Sequence, residues 1–155
     1  MQLSWDDYFF SIAKTVAQKA TCPSRKVGAV VIDPETNHIL STGYNGAPRG
    51  TEHCTDACAN RKSGSDFRKC HAVHGELNAI INAAYNGVRL DGAVMYLTTT
   101  PCLFCSRAII NAGISEVKAS SKYPHDDAID LLKEGGVEVR IITGVSWASI
   151  IGEGS

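Results

Sequence analysis

The chain has 155 residues, 44% of them hydrophobic, a formal net charge of −1 and a pI near 6.5. That is about one domain with enough apolar material for a core, which excludes a disordered chain, and the near-neutral charge lacks the basic footprint of a protein that grips a nucleic-acid polymer. No apolar run approaches the roughly 18 residues of a membrane span, the acidic start with Asp6 and Asp7 is not a signal-peptide n-region, and six cysteines in such a chain read as metal ligands or reduced thiols of a cytoplasmic protein.

Taken in chain order, Ser4 and Asp7 form a capping pair ahead of an amphipathic helix. Trp5, Tyr8, Phe9, Ile12, Ala13, Val16 and Ala17 keep helical spacing to about Ala20, and Cys22-Pro23 ends it. Val27 to Ile32 is almost continuously apolar, as in a strand buried on both faces. Residues 33–37 (DPETN) are a turn, and His38 to Tyr44 returns as a second strand. The loop Gly43 to Gly50 is rich in turn formers, and Thr51 to Lys69 is polar without a clear period. It reads as a cysteine-rich insertion, spanning about 51–71, in a single 1–155 domain. His74 to Ala84 is a helix with Leu77, Ile80, Ile81 and Ala84 as its apolar stripe and Gly87 as its stop. Ala93 to Leu97 is a strand, and Pro101 to Asn111 a helix with Thr100 as N-cap and Gly113 after its end. Glu116 to Ala119 is a strand, Asp126 to Glu134 a helix closed by Gly135-Gly136, and Val137 to Ile141 an alternating, more exposed strand. This order predicts an α/β fold, a three-layer α/β/α sandwich around a five-stranded mixed sheet whose later strands run parallel. Ligands in such sheets sit beyond the carboxyl ends of strands.

The chemistry lies in two short motifs. His74-Gly75-Glu76 is followed by Pro101-Cys102-Leu103-Phe104-Cys105, which matches the H-x-E…P-C-x-x-C signature of the zinc nucleobase deaminases. His74, Cys102 and Cys105 supply three ligands, one short of tetrahedral zinc, which is the catalytic arrangement and not the structural one. Glu76, two residues from His74, can approach the metal without ligating it, as a proton carrier should. Cys102 and Cys105, three apart at a helix start, share one face, and the helix dipole favours thiolate there. Alone, a C-x-x-C would fit two small buried helix residues as well as a metal site, or suggest a redox pair; with H-x-E upstream and Pro101 in place the metal reading prevails.

With these motifs in place the chain resembles the deoxycytidylate (dCMP) deaminases of the cytidine-deaminase superfamily. The resemblance runs from about Ser4 to Ile142 and rests further on Val27-Gly28-Ala29, Gly43-Tyr44-Asn45-Gly46, Glu76-Leu77-Asn78-Ala79-Ile80 and Ala112-Gly113-Ile114. One departure is Gly75, where the family usually has Ala and uses the backbone to help hold the pyrimidine; glycine keeps the N–H and adds flexibility. The resemblance implies hydrolytic deamination of dCMP to dUMP, feeding thymidylate synthesis, with Glu76 moving the protons. It implies that Asn45 holds the sugar and base region, although without the resemblance a turn residue between Tyr44 and Gly46 is the favoured reading. Ser24, Arg25 and Lys26 are the basic candidates for the substrate phosphate, with Tyr123 and the nearby His125 closing over it; an ordinary polar loop is the alternative. A homo-hexamer is implied, activated by dCTP and inhibited by dTTP, each with Mg2+, and Gly43, Tyr44, Gly46 and Arg49 resemble the lining of that effector site. In the bacterial and phage branch a second, structural zinc is frequent. The remaining cysteines Cys22, Cys54, Cys58 and Cys70 are its expected ligands, with His53 or His71 as alternates, and such a site would staple a loop that cannot bury its own core. Unbridged surface thiols are the plainer reading.

Overall fold

The computed structural model describes residues 2–54 and 70–145. Cys58 and most of the expected insertion lie outside the described residues.

Helix α1 (Trp5–Ala17) starts where the sequence marks it: Ser4 Oγ accepts the Asp7 N–H at 3.1 Å and donates to Asp7 Oδ2 at 2.9 Å. It stops at Ala17, short of the expected Ala20, because Lys19 and Ala20 bond back only three residues, to Val16 and Ala17, which tightens the last turn. Strand β1 (Gly28–Ile32) is buried throughout and pairs antiparallel with β2 (Ile39–Tyr44) on one side and β3 (Val94–Leu97) on the other. Parallel pairing then adds β4 (Glu116–Ala119) and β5 (Glu138–Ile141), giving the order β2-β1-β3-β4-β5. Helices α2 (Gly75–Tyr85), α3 (Leu103–Asn111) and α4 (Asp127–Glu134) complete the described elements.

Alternation along the strands sends side chains to two cores. Ala29, Val31, Met95, Leu97, Val117 and Ala119 meet Ala79, Ala83, Ile109 and Leu132 of α2, α3 and α4. On the other face Val30, Ile32, Val94 and Tyr96 meet Phe9, Phe10 and Ala13 of α1. The layers are therefore α/β/α around a five-stranded mixed sheet, as expected.

Two apolar stripes differ from the sequence reading. In α1, Phe10 is fully buried, while Trp5 and Tyr8 are 58% and 40% exposed. In α2 the buried positions are Gly75, Glu76, Ala79 and Ala83, and Ile81 and Ala84 face outward. The reason is close backbone approach. A Cβ at Gly43 would lie 2.3 Å from both Ala79 N and Gly75 O, so α2 rests directly on β2, and small residues occupy the contact. Asn78 and Asn82 fasten it, donating from Nδ2 to the carbonyls of Tyr44 and Thr42 at 2.8 Å each.

Candidate metal centre and active site

Antiparallel pairing of β1 with β2 and β3 puts the start of β1 beside the ends of both partners. The segment Arg25–Val27, Asn45 after β2, Thr98–Cys102 after β3 and Ser120–Tyr123 after β4 therefore gather at one sheet edge. Gly28 N–H donates to Thr98 Oγ1 at 3.2 Å, and Ser121 Oγ to Thr98 O at 2.7 Å. The approach to α2 is held by a single antiparallel bridge, Gly46 to Val73, just before His74.

His74 is the N-cap of α2 and Cys102 the N-cap of α3, so two helix starts face one point. Helix α3 begins two residues later than expected. Pro101 and Cys102 precede it, and Cys102 Sγ caps it by accepting the Cys105 N–H at 3.5 Å. Thr100, expected as the cap, instead accepts the Tyr123 N–H at 2.7 Å. His74 Nδ1 is 3.4 Å from Cys102 Sγ and 3.5 Å from Cys105 Sγ. The three ligand atoms lie within 4.8 Å of one another, and no other group of three or more such residues occurs among the described residues.

The donor set fits zinc. One imidazole nitrogen and two thiol sulfurs are its preferred ligands, and three of them leave a fourth position open. Hydrogen bonding from Cys105, with His74 adding to it, draws the Cys102 thiol down to about 4 against the effect of burial. The same coupling, then burial, pushes Cys105 up. The hydrogen bond from His74 to Cys102 in turn raises the imidazole, so the pair shares charge between a thiolate and a ring nitrogen.

Glu76 lies in the first turn of α2 and is only 3% exposed. Burial pushes its carboxyl up from the usual range, while the His74 and Arg25 charges work the other way. A carboxyl raised in this way holds a proton more readily than a free one, which suits a general acid–base group. Gly75 sits between them in restricted space: a Cβ there would come within 3.0 Å of Val27 O and 3.3 Å of Gly43 O. An alanine methyl there would be tight against the backbone of the segments on either side.

Asn45 is buried, and its amide is spent on the backbone: Oδ1 accepts Val27 N–H at 2.7 Å and Nδ2 donates to Arg25 O at 2.8 Å. The Arg25 guanidinium lies over the Tyr123 ring, 4.5 Å from its centroid. Ser24 and Lys26 are exposed, and Ser24 Oγ lies 3.3 Å from Cys22 Sγ. A cavity of about 240 Å³ opens beside Cys102, lined also by Phe104, Tyr123, His125 and Asp127. Phe104 was missed as a site residue. It is 58% exposed, and its place inside the P-C-x-x-C motif was the available signal.

Of the expected effector residues, Gly43 is covered by α2, Gly46 bridges to Val73, Tyr44 is exposed, and Arg49 lies over the Tyr85 ring at 5.5 Å. Cys22, Cys54 and Cys70 are not in disulfides; Cys22 is buried, and His71 Nε2 contacts Glu52 O at 3.0 Å.

Three convergent ligands beside a buried carboxyl, at the strand-end edge of a mixed sheet, make a candidate zinc site. Residues 3–121 match the model of the cytidine and deoxycytidylate deaminase zinc-binding region, and the chain belongs to that family. A deoxycytidylate deaminase of Saccharomyces cerevisiae is 37% identical over 144 residues, covering 90% of this chain. The chain spans only 45% of that protein's length. One from Mycobacterium phage D29 is 41% identical over 122 residues, covering 73% of this chain and 91% of its own. Among solved structures, dCMP deaminase from the cyanophage S-TIM5 in complex with dCMP and dUMP superposes with a TM-score of 0.78 at 29% identity, over 92% of this chain and 99% of that one. No helix among the described residues is long and apolar enough to cross a membrane.

Proposed function

We propose that the protein hydrolyses dCMP to dUMP and ammonia. The observation that carries this is the convergence of His74, Cys102 and Cys105 beside the buried Glu76, in a chain whose relatives bear that activity in their names. His74, Cys102 and Cys105 would hold zinc, which when bound makes water a nucleophile at neutral pH. Glu76 does the proton work. Its carboxylate accepts a proton from the attacking water and delivers it to N3 of the ring, then takes the second proton from the new C4 hydroxyl and passes it to the amine as the C4–N bond breaks. Oxygen ends on C4, and nitrogen leaves as ammonia.

Arg25 is the phosphate ligand in this reading, with Ser24, Lys26 and Tyr123 around it. A planar guanidinium suits a phosphate, and this one is within electrostatic reach of His74 and Glu76. Asn45 serves the sugar side indirectly, by holding the backbone of Arg25 and Val27. Cys22, Cys54, Cys58 and Cys70, with His53 or His71 as alternates, bind a second, structural zinc; the family resemblance and the presence of Cys54, Cys58, Cys70, His53 and His71 within 51–71 support it. The enzyme acts in the cytoplasm, supplies dUMP for thymidylate synthesis, and works as a homo-hexamer. Magnesium complexes of dCTP and dTTP activate and inhibit it at the Gly43, Tyr44, Gly46 and Arg49 loop. That regulation rests on the resemblance alone. Titration with each triphosphate in the presence of Mg2+ tests it: a sigmoidal dCMP response relieved by dCTP supports it, and indifference to both removes it.

A further inference from the structure

Arg25 is held at both ends. Its carbonyl accepts from Asn45 Nδ2 at 2.8 Å, and Nη2 donates to Thr99 Oγ1 at 3.4 Å. Its guanidinium carbon lies 4.5 Å from the centroid of the Tyr123 ring. Tyr123 is fixed in turn. Its backbone N–H donates to Thr100 Oγ1 at 2.7 Å, and the Thr100 N–H donates to Ser121 O at 3.0 Å. Thr100 is buried and sits two residues before Cys102. The His125 ring lies against the other ring at 5.4 Å between centroids, inclined 58°.

A guanidinium above an aromatic face is attracted to the ring quadrupole and spends none of its N–H donors on it. Apart from the one N–H on Thr99 Oγ1, the in-plane donors remain for a planar or tetrahedral anion. An arginine that is left unbraced must lose rotamer freedom each time a ligand binds. We infer that Tyr123 serves the substrate phosphate through Arg25: its ring is the platform that orients the guanidinium, and its hydroxyl is not a phosphate ligand. Tyr123 is thus a positioning residue that sets the preference for nucleotide over nucleoside. This rests on the reading that Arg25 binds the phosphate.

The test uses the full zinc-loaded protein and the ratio of kcat/KM for dCMP to that for deoxycytidine, so that general damage to the metal centre cancels. Arg25→Met should lower the ratio by about 10–150-fold, the worth of a charged hydrogen bond. Tyr123→Leu should lower it by about 2–30-fold, the worth of a cation–π contact, chiefly through a raised KM for dCMP. Tyr123→Phe and Tyr123→Trp keep a platform and should leave the ratio within about threefold of the wild type. A fall with Tyr123→Phe as deep as with Arg25→Met would make the hydroxyl the ligand and overturn the inference. So would an unchanged ratio in Tyr123→Leu while Arg25→Met loses it. An unchanged ratio in Arg25→Met would instead remove the underlying phosphate assignment. If Tyr123→Leu does not fold, the Phe and Trp variants still decide between ring and hydroxyl.

Discussion

Glu76 is an ionisable group buried to 3% exposure beside the metal ligands, and burial of such a group costs stability unless it is paired or hydrogen-bonded. Glu76→Gln keeps the shape and hydrogen-bonding capacity and removes the proton chemistry. The expected result is a fall in kcat of about 10²–10⁴-fold or more, with zinc content by mass spectrometry unchanged. A variant retaining a third of the wild-type rate would remove Glu76 from the mechanism. At this scale the site was legible, because H-x-E and P-C-x-x-C place three ligands and one carboxylate at fixed spacings. What was not legible is what neighbouring side chains do with their polar atoms. Asn45 stands out in the sequence, but its hydrogen bonds to the Arg25 carbonyl and the Val27 N–H depend on a fold that brings β1 and β2 together.

At the scale of elements, α2 carries Glu76 on its first turn and is placed by contact with β2. That contact is as close as backbones allow: a methyl at Gly43 would lie 2.3 Å from Ala79 N. Gly43→Ala must push α2 outward, since the obstructing atoms are backbone. We expect a loss of about 1–3 kcal/mol, seen as a drop of several degrees in Tm. Activity should fall further than Tm alone explains, because Glu76 moves with the helix. A variant with wild-type Tm and activity would contradict this packing. Periodicity found the helix but misassigned its stripe. Ile81 outranks Ala79 and Ala83 in hydrophobicity, yet only small residues fit the glycine-bearing strand. The later start of α3 has a similar cause: the Cys102 sulfur takes over the capping that Thr100 would supply, and Thr100 turns to the Tyr123 N–H.

A half-buried polar cluster ties α1 to β3 and β4. Tyr96 OH donates to Asp6 Oδ1 at 2.6 Å and Lys118 Nζ to the same oxygen at 2.8 Å. Burial acts to raise the Asp6 carboxyl, but hydrogen bonds from Lys118 and Tyr96 outweigh it and hold it below its ordinary value. A carboxyl depressed by folding adds stability above its unfolded pKa, and that stability is lost as pH falls through the folded value. Lys118→Met should therefore lower Tm at pH 7, and the gap to wild type should close in acid as Asp6 protonates in both proteins. A gap independent of pH would mean that Lys118 acts only by packing.

For the whole molecule, the layer order and strand directions could be read from the alternation of apolar strands and amphipathic helices, because parallel strands need helical crossovers. The cysteine-rich stretch could not be read in this way, since its sequence has no period. The proposed structural zinc predicts two zinc ions per chain in native mass spectrometry. Cys54→Ala should lower that to one and reduce stability, while Cys105→Ala should remove activity with little loss of Tm. One zinc per fully active chain would eliminate the second site and leave the catalytic one standing.

Ammonia release by the zinc-loaded protein, measured side by side with dCMP, deoxycytidine, cytidine and cytosine, tests the central claim most directly. The account predicts stoichiometric conversion of dCMP to dUMP, with a kcat/KM for dCMP at least about tenfold above that for deoxycytidine, as a charged phosphate contact requires. Equal kcat/KM for dCMP and deoxycytidine, or no ammonia from dCMP by protein carrying its full metal complement, would contradict it.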